Sequence, residues 1–222
     1  MTCARLMLIA VAAVAMVSCG DDDASQRPPG PRDRGVEEII PNGWFEAGSH
    51  PSDYLLSVVT DDVHEGARCA YLEQTIDTAM GFGNMMQSIS ARRYRGQRVR
   101  LSGWMKTQGV QMAAFWMRVD GAAVSPLAFD NMSDRPVTGS TPWKKYDIVL
   151  DVADSSEWLN FGIMLFGPGV VRADDFRLEV VSPDVPSTDL GVPPQLLDSA
   201  GPAVLERINL PDEPSNLGFE IH

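Results

Sequence analysis

Residues 97–120 read QRVRLSGWMKTQGVQMAAFWMRVD, a stretch in which two runs alternate between apolar and polar side chains. In the second run, Phe115 and Met117 fall on one side of an extended chain, whereas Trp116 and Arg118 fall on the other. A period of two residues is typical of a β-strand with one buried face. The stretch therefore predicts two strands, one in each half, rather than a helix.

Three further runs alternate in the same way, at 146–152, 161–166 and 176–180. Glycine-rich turn signals separate the runs. Between residues 36 and 181, no amphipathic helical pattern is longer than three turns. Short strands separated by turns predict an all-β fold, an antiparallel β-sandwich or jelly roll.

The N-terminus has the pattern of a bacterial lipoprotein signal. Arg5 precedes an apolar run that is too short to span a bilayer as a helix. Ser18-Cys19 then resembles a lipobox, in which acyl chains such as palmitate on Cys19 would anchor the chain in the membrane. The expected location is the bacterial cell envelope, and Gly20 after the cysteine favours the outer membrane. The sequence thus predicts a signal peptide at 1–18, a lipidated Cys19 with a flexible linker at 19–35, a β-sandwich binding domain at 36–181 and a Pro-rich C-terminal tail at 182–222.

The end of the tail repeats a motif from the front of the domain. Residues 216–220 read Asn-Leu-Gly-Phe-Glu, which echoes Asn-Gly-Trp-Phe-Glu at residues 42–46. Two interpretations stay open: a truncated second module, or a closing strand laid on the domain.

Charge and composition exclude several kinds of protein. The 222 residues include 18 Lys and Arg against 30 Asp and Glu, a formal net charge of −12, which argues against general nucleic-acid binding. Three His and three Cys exclude a zinc finger and an iron–sulfur cluster. Cys69 lies in an alternating pattern that indicates a buried structural thiol.

Four motifs together resemble a known family. They are Asn42-Gly43-Trp44-Phe45-Glu46, the run from Tyr94 to Lys106, Thr141-Pro142-Trp143-Lys144-Lys145-Tyr146, and Ala173-Asp174-Asp175-Phe176-Arg177-Leu178. Their order and separation over residues 40–181 resemble carbohydrate-binding modules with the galactose-binding-like jelly-roll fold. The resemblance implies that fold, and a structural Ca²⁺ held by Glu46 with Asp174 or Asp175. Carboxylate oxygens are suitable ligands for that ion. Residues 127–136 depart from the family pattern, so ligand specificity is not carried over.

Strand parity suggests a binding surface. Trp104 and Trp116 share parity with Arg118, and would lie on an exposed concave face if the other parity fills the core. Aromatic rings and paired polar groups are the side chains that bind sugars. The predicted ligand-binding residues are Trp104, Trp116, Arg118, Asp130, Asn131 and Arg135. The alternatives are that the tryptophans belong to the core and that Arg118 and Asp130 form a structural ion pair.

These features predict a non-catalytic, envelope-anchored binding lipoprotein that recognises a carbohydrate or a cell-surface protein and binds no nucleic acid. The sequence contains neither a His-Glu-x-x-His motif nor a Gly-x-Ser-x-Gly motif, the patterns that would indicate a metalloprotease or a serine hydrolase. Two alternatives are a small envelope hydrolase or lyase on a jelly-roll scaffold, and a structural or protein-interaction lipoprotein with no small ligand.

Overall fold

The computed structural model of the chain describes residues 38–76, 81–122, 126–192 and 209–220. Nine strands make up most of these residues: β1 (Phe45–Gly48), β2 (Tyr54–Val59), β3 (Cys69–Gln74), β4 (Phe82–Ser90), β5 (Gln97–Gly121), β6 (Pro126–Asp130), β7 (Val137–Val152), β8 (Ser156–Phe166) and β9 (Val170–Val181). Within the described ranges, no helix has the length and apolar character needed to cross a membrane. The signal peptide, lipidated Cys19 and linker predicted for residues 1–35 lie outside these ranges and stay predictions.

Strand β5 is the centre of the fold, because it pairs with four other strands. Its first half lies between β7 and β9, and β3 and β2 extend this layer, which we term sheet 1. Its second half lies between β6 and β8, and β4 and β1 extend this second layer, sheet 2. All of these pairs are antiparallel, so the predicted all-β sandwich of the jelly-roll class is confirmed.

The core lies between the two sheets and is built from side chains of one parity. Phe115 and Met117 on β5 are completely buried, as are Phe161 and Ile163 on β8. Leu101 is equally buried on the sheet 1 half of β5. Each such side chain contributes about 1.5–3 kcal/mol when it leaves water. The alternation read from the sequence therefore identifies the core face correctly.

Strand β5 is continuous over 25 residues, where the sequence predicts two strands. Its register against β7 shifts three times between Met105 and Ala113. Gly109 lies within that region at φ +60°, in the left-handed conformation that glycine adopts without strain. Because β-bulges bend a strand and increase its twist, one strand can serve both sheets.

A second apolar cluster lies on the outer face of sheet 1. It contains Cys69 and Tyr71, with Val63 and Trp143 packed against it. Because β2 has this cluster on one face and the main core on the other, all six of its residues are buried. Burial raises the pKa of the Cys69 thiol to about 12. Cys69 is thus a buried thiol, as its sequence context predicts.

The C-terminal segment, residues 209–220, returns to the sandwich and completes its core. Phe219 is completely buried, with its ring 4.8 Å from the ring of Trp44 and 5.9 Å from that of Phe176. The Trp44 indole N–H donates to the carbonyl of Asn216 at 3.1 Å. Of the two interpretations of the repeated motif, the structure shows a segment laid on the domain, although it forms turns rather than a strand.

The basic cluster that begins after β4 is balanced by carboxylates. Its ion pairs are Arg92–Asp212, Arg93–Glu213, Arg95–Glu157, Arg98–Asp151 and Arg100–Glu179. Two of the five acidic partners belong to the C-terminal segment. The cluster therefore fastens chain segments to one another, and presents no run of unpaired positive charge.

Candidate functional site

A cleft of about 520 Å³ opens on the outer face of sheet 2, on the side away from the core. Strands β4, β5, β6 and β8 supply most of its wall. The lining residues are Gly48, Ser49, Phe82, Asn84, Met112, Trp116, Arg118, Phe129, Asn131, Met164 and Phe166. The volume falls within the range of about 300–1,000 Å³ that is usual for small-molecule sites.

Trp116 forms the floor of this cleft. Its indole N–H donates to Asn84 Oδ1 at 2.8 Å, and Asn84 itself is only 4% exposed. Trp116 is 7% exposed and packs with Met86 and Phe129. It faces Gly162 on β8, where an added Cβ would lie 2.3 Å from a backbone oxygen of β4. The tryptophan is therefore held in one orientation, with a limited area available to a ligand.

Arg118 forms one polar edge of the cleft and is paired with a buried carboxylate. Its Nε lies 2.8 Å from Asp120 Oδ1, and its Nη2 donates to Asp120 Oδ2 at 2.9 Å. Asp120 Oδ2 also accepts from Asn160 Nδ2 at 2.8 Å, and Asn160 Oδ1 accepts from the Ser88 hydroxyl at 2.6 Å. This chain of hydrogen bonds crosses β5, β8 and β4. It fixes the guanidinium and neutralises its charge.

Trp104 does not join Trp116, so the expectation of one surface for both needs correction. Trp104 lies on the sheet 1 half of β5, opposite Lys145 of β7 and Asp174 of β9. Its ring stacks on the imidazole of His64 at 4.0 Å between centroids. Because β5 passes from one sheet to the other, residues of equal parity at its two ends point to opposite outer faces of the sandwich.

Asp130 and Arg135 form a structural ion pair, so their expected role in ligand contact also needs correction. Asp130 is completely buried, and its Oδ2 lies 2.6 Å from Arg135 Nη2. Asp130 Oδ1 accepts from the amide of Met132 at 2.7 Å, which holds the turn after β6. Asn131, between them, does line the cleft. An ion pair is one of the alternatives considered above, but Asp130 pairs with Arg135 and not with Arg118.

The calcium ligands implied by the family resemblance lie on strands of different sheets, Glu46 on β1 of sheet 2 and the Asp174-Asp175 pair on β9 of sheet 1. Asp174 accepts three backbone amides, and burial raises the pKa of its carboxyl group. Glu46 lies on β1, which pairs with β4 in the other sheet. Among the described residues, three potential ligand atoms within 4.8 Å of one another come from His64, Glu65 and Asp175, a group without Glu46 or Asp174. Asp174, whose oxygens already accept amide hydrogens, and Glu46, which lies in the other sheet, therefore do not fit a calcium ion as predicted, whereas Ca²⁺ at Asp175 stays a prediction.

Several cleft residues are absent from the sequence prediction. Asn84 lies on β4, a strand that the alternation does not reveal. Met164 and Phe166 lie on β8, in a run whose opposite parity supplies the core. The sequence could have indicated these two residues, because large apolar side chains on both faces of one strand predict an apolar surface outside the core as well as within it. Which strands lie side by side is set by long-range pairing, which one sequence does not show.

Comparison with known proteins gives one curated relative. The chain is 46% identical over 180 residues to the uncharacterized HTH-type transcriptional regulator YbfP of Bacillus subtilis. The match covers 80% of this chain and 56% of that protein, so the chain spans little more than half the length of its relative. The relative contradicts the function predicted above, an envelope-anchored binding lipoprotein. No protein-family model matches the chain.

Solved structures with a similar arrangement of strands share little sequence with the chain. The CBM22-1 xylan-binding domain of Paenibacillus barcinonensis Xyn10C is 14% identical, with a TM-score of 0.47 over 66% of this chain and 90% of that one. TmCBM61 in complex with β-1,4-galactotriose is also 14% identical, with a TM-score of 0.45 over 69% and 95%. Tailspike protein 4 of bacteriophage CBA120 has a TM-score of 0.49 at 14% identity, over 65% and 20%. Likenesses at this level carry no inference about function.

Proposed function

We propose that this domain binds a neutral, hydroxylated ring compound of the carbohydrate class in the sheet 2 cleft, as the ligand-sensing part of a transcriptional regulator. The observation that carries the proposal is the composition of the cleft. Aromatic and methionine side chains form its walls, and Asn84, Arg118 and Asn131 place polar groups among them. The cleft thus offers both an apolar surface and directed hydrogen bonds.

A pyranose matches this arrangement because it has an apolar face and a rim of hydroxyl groups. The apolar face would pack against Phe166 and Met164, while Asn131 and Arg118 would hydrogen-bond to the rim. Arg118 carries no uncompensated charge, since Asp120 is paired with it. An anionic ligand would gain little net attraction at this edge, so a neutral ligand is favoured.

The regulatory role is suggested by the Bacillus relative. A helix-turn-helix needs two helices, whereas the described residues of this chain are organised as nine strands. We therefore assign them to the part of such a regulator that recognises a ligand. At a net charge of −12, the chain is not expected to bind DNA by itself at physiological salt.

The test is titration calorimetry of the full chain against neutral pyranoses and their β-1,4-linked oligomers. Phe166→Ala removes an exposed ring from the cleft, and Phe45→Ala is its matched control. The two rings are 38% and 39% exposed, but Phe45 does not line the cleft. Since an aromatic contact is worth about 0.5–1.5 kcal/mol, Phe166→Ala should weaken binding roughly 2- to 10-fold and Phe45→Ala should leave it unchanged.

Equal losses of affinity in Phe166→Ala and Phe45→Ala would show that the ligand does not bind in this cleft. Absence of binding to every sugar by a folded chain would overturn the carbohydrate assignment. A gel-shift assay with the full chain and duplex DNA examines the regulatory assignment separately. Tight, salt-resistant DNA binding would contradict the placement of this chain in the ligand-sensing part.

A further inference from the structure

One buried carboxylate on β9 holds the loop between β2 and β3. Asp174 is 1% exposed, and its Oδ2 accepts from the backbone amides of His64 and Glu65 at 3.1 and 3.0 Å. Its Oδ1 accepts from the amide of Asp175 at 2.7 Å. Both carboxylate oxygens are therefore engaged by the protein itself.

A second carboxylate, from the C-terminal segment, holds the next part of the same loop. Glu220 Oε1 accepts from the amides of Ala67 and Arg68 at 2.7 and 3.4 Å. Between them, Asp174 and Glu220 engage four backbone amides of residues 64–68. We term Asp174 and Glu220 together the carboxylate clamp. Because Asp174 lies on β9 and Glu220 in the C-terminal segment, the clamp joins both of these to the loop.

The family resemblance implies that Asp174 or its neighbour Asp175 binds calcium together with Glu46. A calcium ion needs six to eight oxygen ligands and would compete for the Asp174 oxygens that now accept amide hydrogens. Glu46, the other expected ligand, belongs to an edge strand of sheet 2. We infer that the carboxylate clamp takes the place of a bound cation, so that the loop is fastened to β9 by hydrogen bonds and the fold does not depend on calcium.

The strength of these hydrogen bonds supports the replacement of a bound cation by the carboxylate clamp. Hydrogen bonds from backbone amides to a carboxylate are charge-assisted and about twice as strong as neutral ones. The imidazole of His64 also packs against Trp104 and Trp143, at 4.0 and 5.5 Å between ring centroids. The loop is thus held both by hydrogen bonds to carboxylates and by aromatic packing.

The test is thermal unfolding of the full chain in excess EDTA and in excess CaCl₂. The midpoint should agree within about 1 °C, whereas a cation present at about 100 times its dissociation constant would raise it by roughly 5–10 °C. A calcium-dependent rise of that size would overturn the inference. Stoichiometric calcium in the purified protein, measured by mass spectrometry, would do the same.

Two variants separate the clamp from a metal site. Asp174→Asn turns an amide donor towards backbone donors, so the midpoint should fall by roughly 5–10 °C, equally with and without calcium. Glu65→Gln changes a potential metal ligand whose side chain takes no part in the clamp, and should shift the midpoint by no more than about 1 °C. A large fall of the unfolding midpoint in Glu65→Gln, together with an unchanged midpoint in Asp174→Asn, would contradict the carboxylate clamp. The wild-type comparison keeps the test decisive if Asp174→Asn fails to fold.

Discussion

Removal of the Phe219 ring should destabilise the entire domain, although the residue lies in the C-terminal segment and outside the nine strands. Phe219 is completely buried, and its ring packs against Trp44 and Phe176 in the main core. Its backbone has φ +58°, a conformation that a non-glycine residue adopts only when other contacts stabilise it. Phe219→Ala keeps the backbone constraint, so the variant reports the loss of side-chain packing alone.

Replacing a buried Phe by Ala costs about 3–5 kcal/mol, because apolar contacts are lost and a cavity remains. In a chain of this size, each kcal/mol lowers the unfolding midpoint by roughly 2–4 °C, which gives a decrease of roughly 6–20 °C. The change should appear in the urea midpoint with the slope of the transition unchanged. Tryptophan fluorescence is a suitable signal because Trp44 lies 4.8 Å from the Phe219 ring.

Phe45→Ala is the control, since the ring of Phe45 is 39% exposed and its loss should cost no more than about 1 kcal/mol. A cost below about 1 kcal/mol for Phe219→Ala, or equal effects of the two changes, would refute the argument that the C-terminal segment belongs to the core. Retained stability in a chain that ends at residue 208 would refute it as well.

Two further predictions concern titratable groups. Because its pKa is raised to about 12, the Cys69 thiol should resist a maleimide reagent at pH 8 in the folded chain and react fully in denaturant, as read from the mass of its peptide; rapid labelling of the folded chain would show that the thiol is accessible. The hydrogen bond and charge of Arg98 lower the pKa of Asp151. The pair therefore adds stability above the unfolded-state pKa of about 3.9, and this stability is lost as the pH falls through the lower folded-state pKa. Asp151→Asn should thus reduce the loss of stability between pH 7 and pH 2, measured as urea midpoints, and an unchanged acid dependence would contradict this assignment.

Much of the fold could be predicted from side-chain alternation, since Phe115 and Met117 do face the core as their spacing indicates. Strand β2 was not predicted, because a strand buried on both faces has no alternation to detect. The length of β5 was missed for a different reason. Bulges near Gly109 keep the strand continuous, although the alternation of side chains is interrupted there.

The candidate site was predicted in part. Trp116, Arg118 and Asn131 do share one cleft, which parity and proximity in sequence could suggest. Trp104 has the same parity but lies on the other sheet, because parity gives the face of a strand and not the layer to which it belongs. The partner of Arg118 is Asp120, two residues along the same strand, a spacing that places both side chains on one face.

The position of β5 has a consequence for the synthesis of this protein. Strands β6 to β9, the partners with which β5 pairs, all follow it in the chain, so a nascent polypeptide that ends after β5 has no neighbours for its central strand. The bond between Trp44 and Asn216 joins residues 172 positions apart. Pairing over such distances is slow and leaves apolar strand faces open until the distant partner segments have been made. A nascent chain that stops before residues 209–220 are made would therefore lack the Phe219 side chain that the core contains, and its open apolar faces would make it prone to aggregation.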